Sequence, residues 1–253
     1  MNLVFDDSFD GFLTAVFEAY AQSYAVSAIT ARRDFVPDFL REHIDINTSA
    51  QKSERVWNKL KALFGRDNYM ILWAFLSEQP DIYTHIYHII RQKIKQPEIN
   101  ILNHHTDASV ASFHRAIKIV GRERHRMQAF VRFELMVGGV YFAKVSPDFN
   151  VLPLIGRFFA RRFADQSWLI FDEKRYFGIY YDKQTRQLTE VVDVDAFILA
   201  QPKKHHDEVE ARYQHLWQTY FKHVTIAERK NLRHHIQQMP KRYWRYLTEK
   251  QAI

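Results

Sequence analysis

The sequence predicts an α+β fold: a helical N-terminal half, a central antiparallel β-sheet in the order β-β-α-β-β-β covered by helices, and a basic helical C-terminal tail. Three observations predict it. Apolar residues recur at spacings of three and four before Gln128, the repeat shortens to two from Gln128 onward, and positive charge gathers after Lys222. The parts read as one domain over 1–253, with a mainly helical part at 1–127, the sheet and its one helix at 128–195, and the basic tail at 205–253.

Leu3, Val4 and Phe5 fit a short strand before a turn at 6–10. Asp10 can cap a helix whose apolar residues, Leu13, Val16, Phe17 and Tyr20, fall at i, i+3, i+4 and i+7. A second helix is expected behind the T-x-x-Q box Thr48/Gln51, with Val56, Leu60 and Leu63 inward. Asp67 opens a third through Phe75, ended by Pro80, which has no amide hydrogen to continue the ladder. A fourth buries Ile82, Ile86, Ile89 and Ile90 and stops at Pro97. A fifth starts near Asp107 and carries Val110, Phe113, Ile117 and Val120 on one stripe.

From Gln128, Ala129, Val131, Phe133 and Leu135 alternate with Phe130, Arg132 and Glu134, as side chains do along a strand. Gly138-Gly139 supplies the positive-φ pair of a tight hairpin, and VYFAKVS returns antiparallel. The amphipathic stretch VLPLIGRFFARRFAD follows as a helix, with Leu154, Phe158, Phe159 and Phe163 available to pack on the sheet. WLIFD, YFGIYYD and QLTEVVDV read as three more strands, the last two joined by the polar turn DKQTR. Linker-like QPKKHHDE leads to a helix with Leu216, Trp217, Tyr220 and Phe221, and then to the tail.

Composition narrows the function classes. At 47% hydrophobic and 15% aromatic residues the chain has the apolar surface of a folded protein. It has no cysteine, which excludes disulfides, thiolate zinc sites, a cysteine nucleophile and a cysteine-bound iron–sulfur cluster within this chain. The acidic start MNLVFDDSFDGF is unlike a signal peptide, and the longest apolar run, MILWAFL, is far short of a membrane span. A cytoplasmic protein with no membrane partner is therefore expected. The net charge is +7, and residues 222–253 hold eight Lys/Arg against two Glu, a net +6. A basic end interleaved with aromatics is the footprint of a polyanion binder, or else of a solvated basic face.

Four blocks, FDDSFDGFLTAVFEAY, RERHRMQAFVRFE, SPDFNVLPLIGRFFARRFADQSWLIFD and LWQTYF…ERKNLRHHIQQMPKRYW, occur in that order. On them the chain resembles the bacterial "probable DNA metabolism protein" family, a domain of unknown function. The resemblance is weakest over about residues 30–105 and 173–205. It implies a nucleic-acid context. Similar proteins neighbour a radical-SAM protein thought to act in DNA modification or repair, and a similar domain is fused to uracil-DNA glycosylases. DNA and a radical-SAM protein are the partners it suggests, with no cofactor in this chain.

The residues give two readings for each basic cluster. Arg122 and Arg126 lie i, i+4 near a helix C-terminus, where the helix dipole favours cations; Arg124 and Arg126 are also candidates for phosphate. Arg132 is expected on a strand, solvent-facing or paired with a charge such as Glu134. Arg161 and Arg162 lie within reach of Asp165 for an internal salt bridge, or leave one guanidinium fork for phosphate. In MPKRYW, Lys241 and Arg242 supply charge and Tyr243 and Trp244 supply stacking faces, unless those aromatics anchor the C-terminus in the core.

Enzyme signatures are sparse. Walker, GxGxxG, HExxH and G-x-S-x-G motifs are absent. Pro147-Asp148 followed by Asp172-Glu173-Lys174 matches the PD…(D/E)xK pattern in which two carboxylates hold Mg²⁺ and a lysine assists the attacking water. Asp148, Asp172 and Lys174 are the catalytic candidates of that reading. Among thirteen histidines no pair has convincing metal-ligand spacing; His125 is kept as an acid–base candidate because the arginines around it would hold it neutral near pH 7. The expected function is a DNA-binding component of repair or modification working with a radical-SAM enzyme. The competing expectations are a metal-dependent nuclease or other hydrolase, and a non-catalytic subunit that docks a partner protein.

Overall fold

Ser8, rather than Asp10, starts the first helix: its side chain accepts from the Gly11 amide at 2.9 Å, satisfying one of the orphan amides of the first turn. The computed structural model describes residues 1–38, 42–136, 139–192 and 232–250. It divides the chain into two units, Met1–Gly121 and Arg122–Ile253, and the division falls inside one helix.

In the first unit, β1 (Asn2–Phe5) runs between β2 (Ala28–Ala31) and β3 (His43–Asp45), parallel to both. Neither β2 nor β3 was expected; at four and three residues they are too short to show a period. Helix α1 (Phe9–Ala21) follows β1. Asp6 sits against its first turn, accepting from the Ser8 hydroxyl at 2.6 Å and from Thr48 Oγ1 at 2.7 Å. Partial burial pushes the Asp6 carboxyl up, but the hydrogen bonds from Ser8 and Thr48 outweigh it and hold the group below its ordinary value. The approach is so close that a Cβ on Gly11 would run into Asp6 Oδ1. Thr48 is thereby taken from its expected place in a capping box. Helix α2 (Ala50–Phe64) starts after Ser49 without a side-chain cap, and is tied to α1 by Ser53 Oγ donating to Asp10 Oδ1 at 2.7 Å.

A 3₁₀ turn containing Asp67 precedes α3 (Tyr69–Phe75). Helix α4 (Ile82–Lys95) buries Ile82, Ile86, Ile89 and Ile90 and stops two residues before Pro97. Phe5, Phe12, Phe75 and Tyr83 meet ring to ring at the centre of this unit. Arg33 reaches that core, donating to Tyr83 Oη at 2.7 Å and pairing with Glu78 at 2.8 Å. Asp107 accepts from the amides of Ser109 and Val110 and so caps α5 (Ala108–Phe130).

Helix α5 continues through Phe130, past Gln128 where a strand was expected to begin. Met127, Phe130 and Val131 satisfy a helical i, i+3, i+4 pattern as well as the alternation, and the helix wins until Arg132. The Arg132 Nη1 donates to the Ala129 carbonyl at 2.7 Å, so this residue closes the C-terminus of α5 instead of standing in a strand. What remains is β4 (Glu134–Leu135), antiparallel to β5 (Tyr141–Val145) across a turn in which Gly139 has φ +79°. Gly138 lies outside the described residues.

The second sheet has the order β4-β5-β6-β7-β8, and the α+β class holds. One pairing departs from the expected antiparallel sheet. β6 (Trp168–Asp172) runs parallel to β5, because α6 (Leu152–Arg162) carries the chain across between them. Strands β7 (Phe177–Asp182) and β8 (Gln187–Val191) complete the sheet antiparallel, joined through the DKQTR turn. Ile155 and Phe159 of α6 are buried, and Phe133, Phe159, Phe163, Trp168 and Tyr181 form an aromatic layer beneath it. The expected helix bearing Leu216, Trp217, Tyr220 and Phe221 lies outside the described residues, as does QPKKHHDE. The tail is described from α7 (Leu232–Gln238) through a 3₁₀ turn at Lys241–Tyr246. Among the described residues no helix is long and apolar enough to cross a membrane.

Candidate functional site

The second unit is organised around a carboxylate in an apolar stripe. Val120, Glu123 and Met127 follow one another on the buried face of α5, and the Glu123 side chain is 1% exposed. A buried charge must find partners, and the rest of the unit brings them. Tyr243 donates to Glu123 Oε1 at 2.5 Å, the Asp148 amide donates to the same oxygen at 2.9 Å, and Arg242 and Arg126 approach Oε2 at 3.4 and 3.7 Å. Arg242 also pairs with the Asp148 carboxylate at 2.8 Å and donates to Tyr243 Oη at 2.6 Å. Burial, followed by the bond to Glu123, pushes the Tyr243 hydroxyl well above the ordinary tyrosine value.

A parallel arrangement lies one turn along the tail. Tyr246 donates to Glu173 Oε2 at 2.7 Å, with Lys144 and Arg245 within ion-pair range of the same carboxylate. Two tyrosine–glutamate bonds, from tyrosines three residues apart, therefore seat the 3₁₀ turn on α5 and on the turn after β6. The ring of Tyr243 lies 5.5 Å from that of Phe130, and the space left among Met127, Phe130, Val145 and the two tyrosines is only about 10 Å³.

Three of the four expected tail residues, Arg242, Tyr243 and Trp244, make contacts within the unit. Tyr243 is 1% exposed and offers no face to a base. Trp244 donates to the Met239 carbonyl at 2.9 Å, with the Lys250 ammonium 5.0 Å from its ring centre. Arg242 is divided between Glu123 and Asp148. Lys241 is exposed. On α5, Arg126 is held at Glu123, Arg124 is half-buried, and His125 is exposed on the outer face.

The PD…DEK candidates do come near one another, but in other roles. Asp172 is fully buried; its Oδ2 pairs with Arg175 at 2.8 Å and its Oδ1 accepts the Lys174 amide at 2.9 Å. Burial outweighs Arg175 and leaves the Asp172 carboxyl raised above its ordinary value. Lys174 Nζ and Arg175 Nη2 both donate to the Asp148 carbonyl, at 3.0 and 3.1 Å, and Arg175 Nη1 reaches the Pro147 carbonyl at 3.2 Å. The two motif halves thus clamp the loop between β5 and α6, and the Asp148 side chain turns to Arg242. Among the described residues no group of three His, Cys, Asp or Glu side chains could hold a metal ion.

Helix α6 is different. Arg157, Arg161 and Arg162 are exposed, at i, i+4 and i+5. Arg161 donates to the Arg157 carbonyl at 3.3 Å, and Arg162 lies 5.7 Å from the Phe163 ring centre. The expected bridge to Asp165 is not formed, and no carboxylate pairs with any of the three among the described residues. Sequence reasoning missed Arg157, whose i, i+4 relation to Arg161 was the available signal. It also missed Glu123, signalled by an acid in the apolar row of α5, and it missed Arg175.

The model of a domain of unknown function, DUF4130, matches residues 80–249. No curated protein and no solved structure matches the chain.

Proposed function

This chain belongs to the DUF4130 family, a domain of unknown function, and on that premise we propose that it is a DNA-binding component of repair or modification, acting with a radical-SAM partner. The observation that carries the reading is the arginine group of α6. Three arginines of this unit are matched to buried carboxylates: Arg126 and Arg242 to Glu123, Arg175 to Asp172. Among the described residues Arg157, Arg161 and Arg162 have no such match; Arg157 and Arg161 lie on the face opposite the buried Ile155 and Phe159, and Arg162 is exposed in the last turn of the helix. Guanidinium groups preorganised on a rigid element suit phosphate oxygens, because the fork is planar and permanently charged. Lys241 adds an exposed charge from the tail, and the chain's excess of +7 favours association with a polyanion. The resemblance to neighbours of a radical-SAM protein supports a component role; a chain without cysteine leaves the cluster chemistry to that partner.

The test is fluorescence anisotropy of labelled single- and double-stranded oligonucleotides with the full chain and with an Arg157→Ala/Arg161→Ala/Arg162→Ala variant. At low salt the variant is expected to bind at least about tenfold more weakly, since each lost phosphate contact removes a counterion-release contribution. Equal affinity of the two proteins would refute the assignment to α6.

A further inference from the structure

The first unit contains a groove that neither the arginines of α6 nor the seated tail explains. It lies among α1, α2 and α4 and encloses about 390 Å³. Leu60 and Ile90 form its floor, and Phe17, Tyr20, Val56 and Ile94 form its sides. Tyr20 stands on the rim with 41% of its surface exposed, its ring 6.3 Å from that of Tyr87. The volume is two to three times the roughly 150 Å³ cavity that accepts a benzene ring, so it has room for two or three large apolar side chains.

The charged groups at this groove are all of one sign. Arg55 and Lys59, one helical turn apart on α2, line it and are exposed. Across from them, Arg91 of α4 is exposed and near enough to Tyr20 and Tyr87 for its charge to oppose the upward push that burial gives both hydroxyls. No Asp or Glu lines the groove. The acid nearest in sequence to its α1 wall, Glu18, is already engaged by Lys52 at 2.5 Å.

We propose that this groove docks an acidic amphipathic helix of a partner protein, a segment with large apolar side chains at i, i+3, i+4 and i+7 and carboxylates on either side of that stripe. The floor made by three helix faces accepts the apolar knobs of a fourth, the usual geometry of helix-in-groove recognition. The basic rims on α2 and α4 then face the flanking carboxylates. They set the sign of the partner and raise the association rate more than they fill the interface. The groove belongs to the first unit and the α6 arginines to the second, so the two bindings can be tested with separate variants.

The probe is a fluorescein-labelled peptide of about 18 residues, long enough to hold a helix, with Leu at the four stripe positions and Glu beside them. A second peptide has Lys at each Glu position. The full chain is expected to bind the Glu peptide at least about tenfold more tightly than the Lys peptide. Arg55→Glu/Lys59→Glu should reverse that preference. Ala21→Trp, an exposed position lining the groove, should abolish both bindings while the far-ultraviolet circular dichroism stays unchanged. The α6 triple variant should bind the Glu peptide like the unaltered chain. Equal binding of the two peptides, binding of neither, or no response to either groove variant would overturn the proposal. So would a result in which dodecanoate or an oligo-dT strand, but not the Glu peptide, shifts the amide resonances of α1, α2 and α4.

Discussion

Tyr243→Phe removes one oxygen from the centre of the second unit and leaves everything else in place. The ring keeps its packing on Phe130, so apolar burial is conserved and no cavity opens. What is lost is the donor to Glu123 Oε1 at 2.5 Å and the acceptor for Arg242 at 2.6 Å. Glu123 is 1% exposed, so water cannot replace the missing donor. A hydrogen bond to a buried charge contributes about 1.5–3 kcal/mol, and that is the expected loss of stability. Tyr246→Phe is the internal control. Its partner Glu173 is 31% exposed, so water can step in, and the loss should be about 1 kcal/mol or less. Urea unfolding followed by circular dichroism separates the two. With a slope of about 2 kcal/mol per molar, Tyr243→Phe should lower the midpoint of the transition reporting this unit by about 1 M. A shift below about 0.3 M, or a larger effect from Tyr246→Phe, would refute the placement of Glu123 as the buried anchor of the tail.

The remaining predictions concern charge and space. Arg175→Met leaves Asp172 buried without its cation and should cost about 3–5 kcal/mol. Because burial already raises this carboxyl, the folded state binds its proton more readily than the unfolded chain, so the deficit should shrink as pH falls toward the ordinary value of 3.8. Urea midpoints measured from neutral to acidic pH check the sign. Burial lowers the value of His88, His85 and Arg91 lower it further, and Asp107 opposes them. The unfolded chain therefore takes up the His88 proton first, and stability contributed by the neutral ring is present above 6.5 and lost as pH falls below it; His88→Gln should flatten that part of the profile. Gly11→Ala should destabilise by about 1–3 kcal/mol, because its Cβ meets Asp6, which Ser8 and Thr48 hold in place. Gly121→Ala, whose Cβ would meet only Trp73 at 3.4 Å, should be neutral or stabilise α5 by up to about 1 kcal/mol. Thermal melts of the two glycine variants give that contrast directly.

Long patterns were legible in the sequence and short ones were not. Five isoleucines recur in α4 between Asp81 and Pro97, and the four expected inward, Ile82, Ile86, Ile89 and Ile90, are buried. Asp107 capped its helix, and the last three strands of the second sheet fell where alternation and the DKQTR turn put them. β2 and β3 gave no such signal, because their pairing to β1 is decided by tertiary contact. The stretch MQAFVRF fits periods of two and 3.6 alike, and the choice went to the helix. The parallel β5–β6 pairing could have been read, since a helix between two strands permits a crossover while a hairpin needs only a turn. At the site, Arg161 and Arg162 of α6 stood in plain view in FFARR, while Arg157, one turn earlier, was passed over. The fate of Tyr243 depended on Glu123, 120 residues away, and only the acid in an apolar helix row hinted that the tail would be drawn to it.

The central claim is that the chain holds nucleic acid through the arginines of α6, and the salt dependence of DNA binding tests it most directly. The slope of log K against log of salt concentration falls by about 0.9 for each phosphate contact removed from duplex DNA. If Arg157, Arg161 and Arg162 each hold a phosphate, the triple alanine variant should flatten the slope by about two to three relative to the unaltered chain. An unchanged slope, or no salt-sensitive binding by the unaltered chain, would contradict the account.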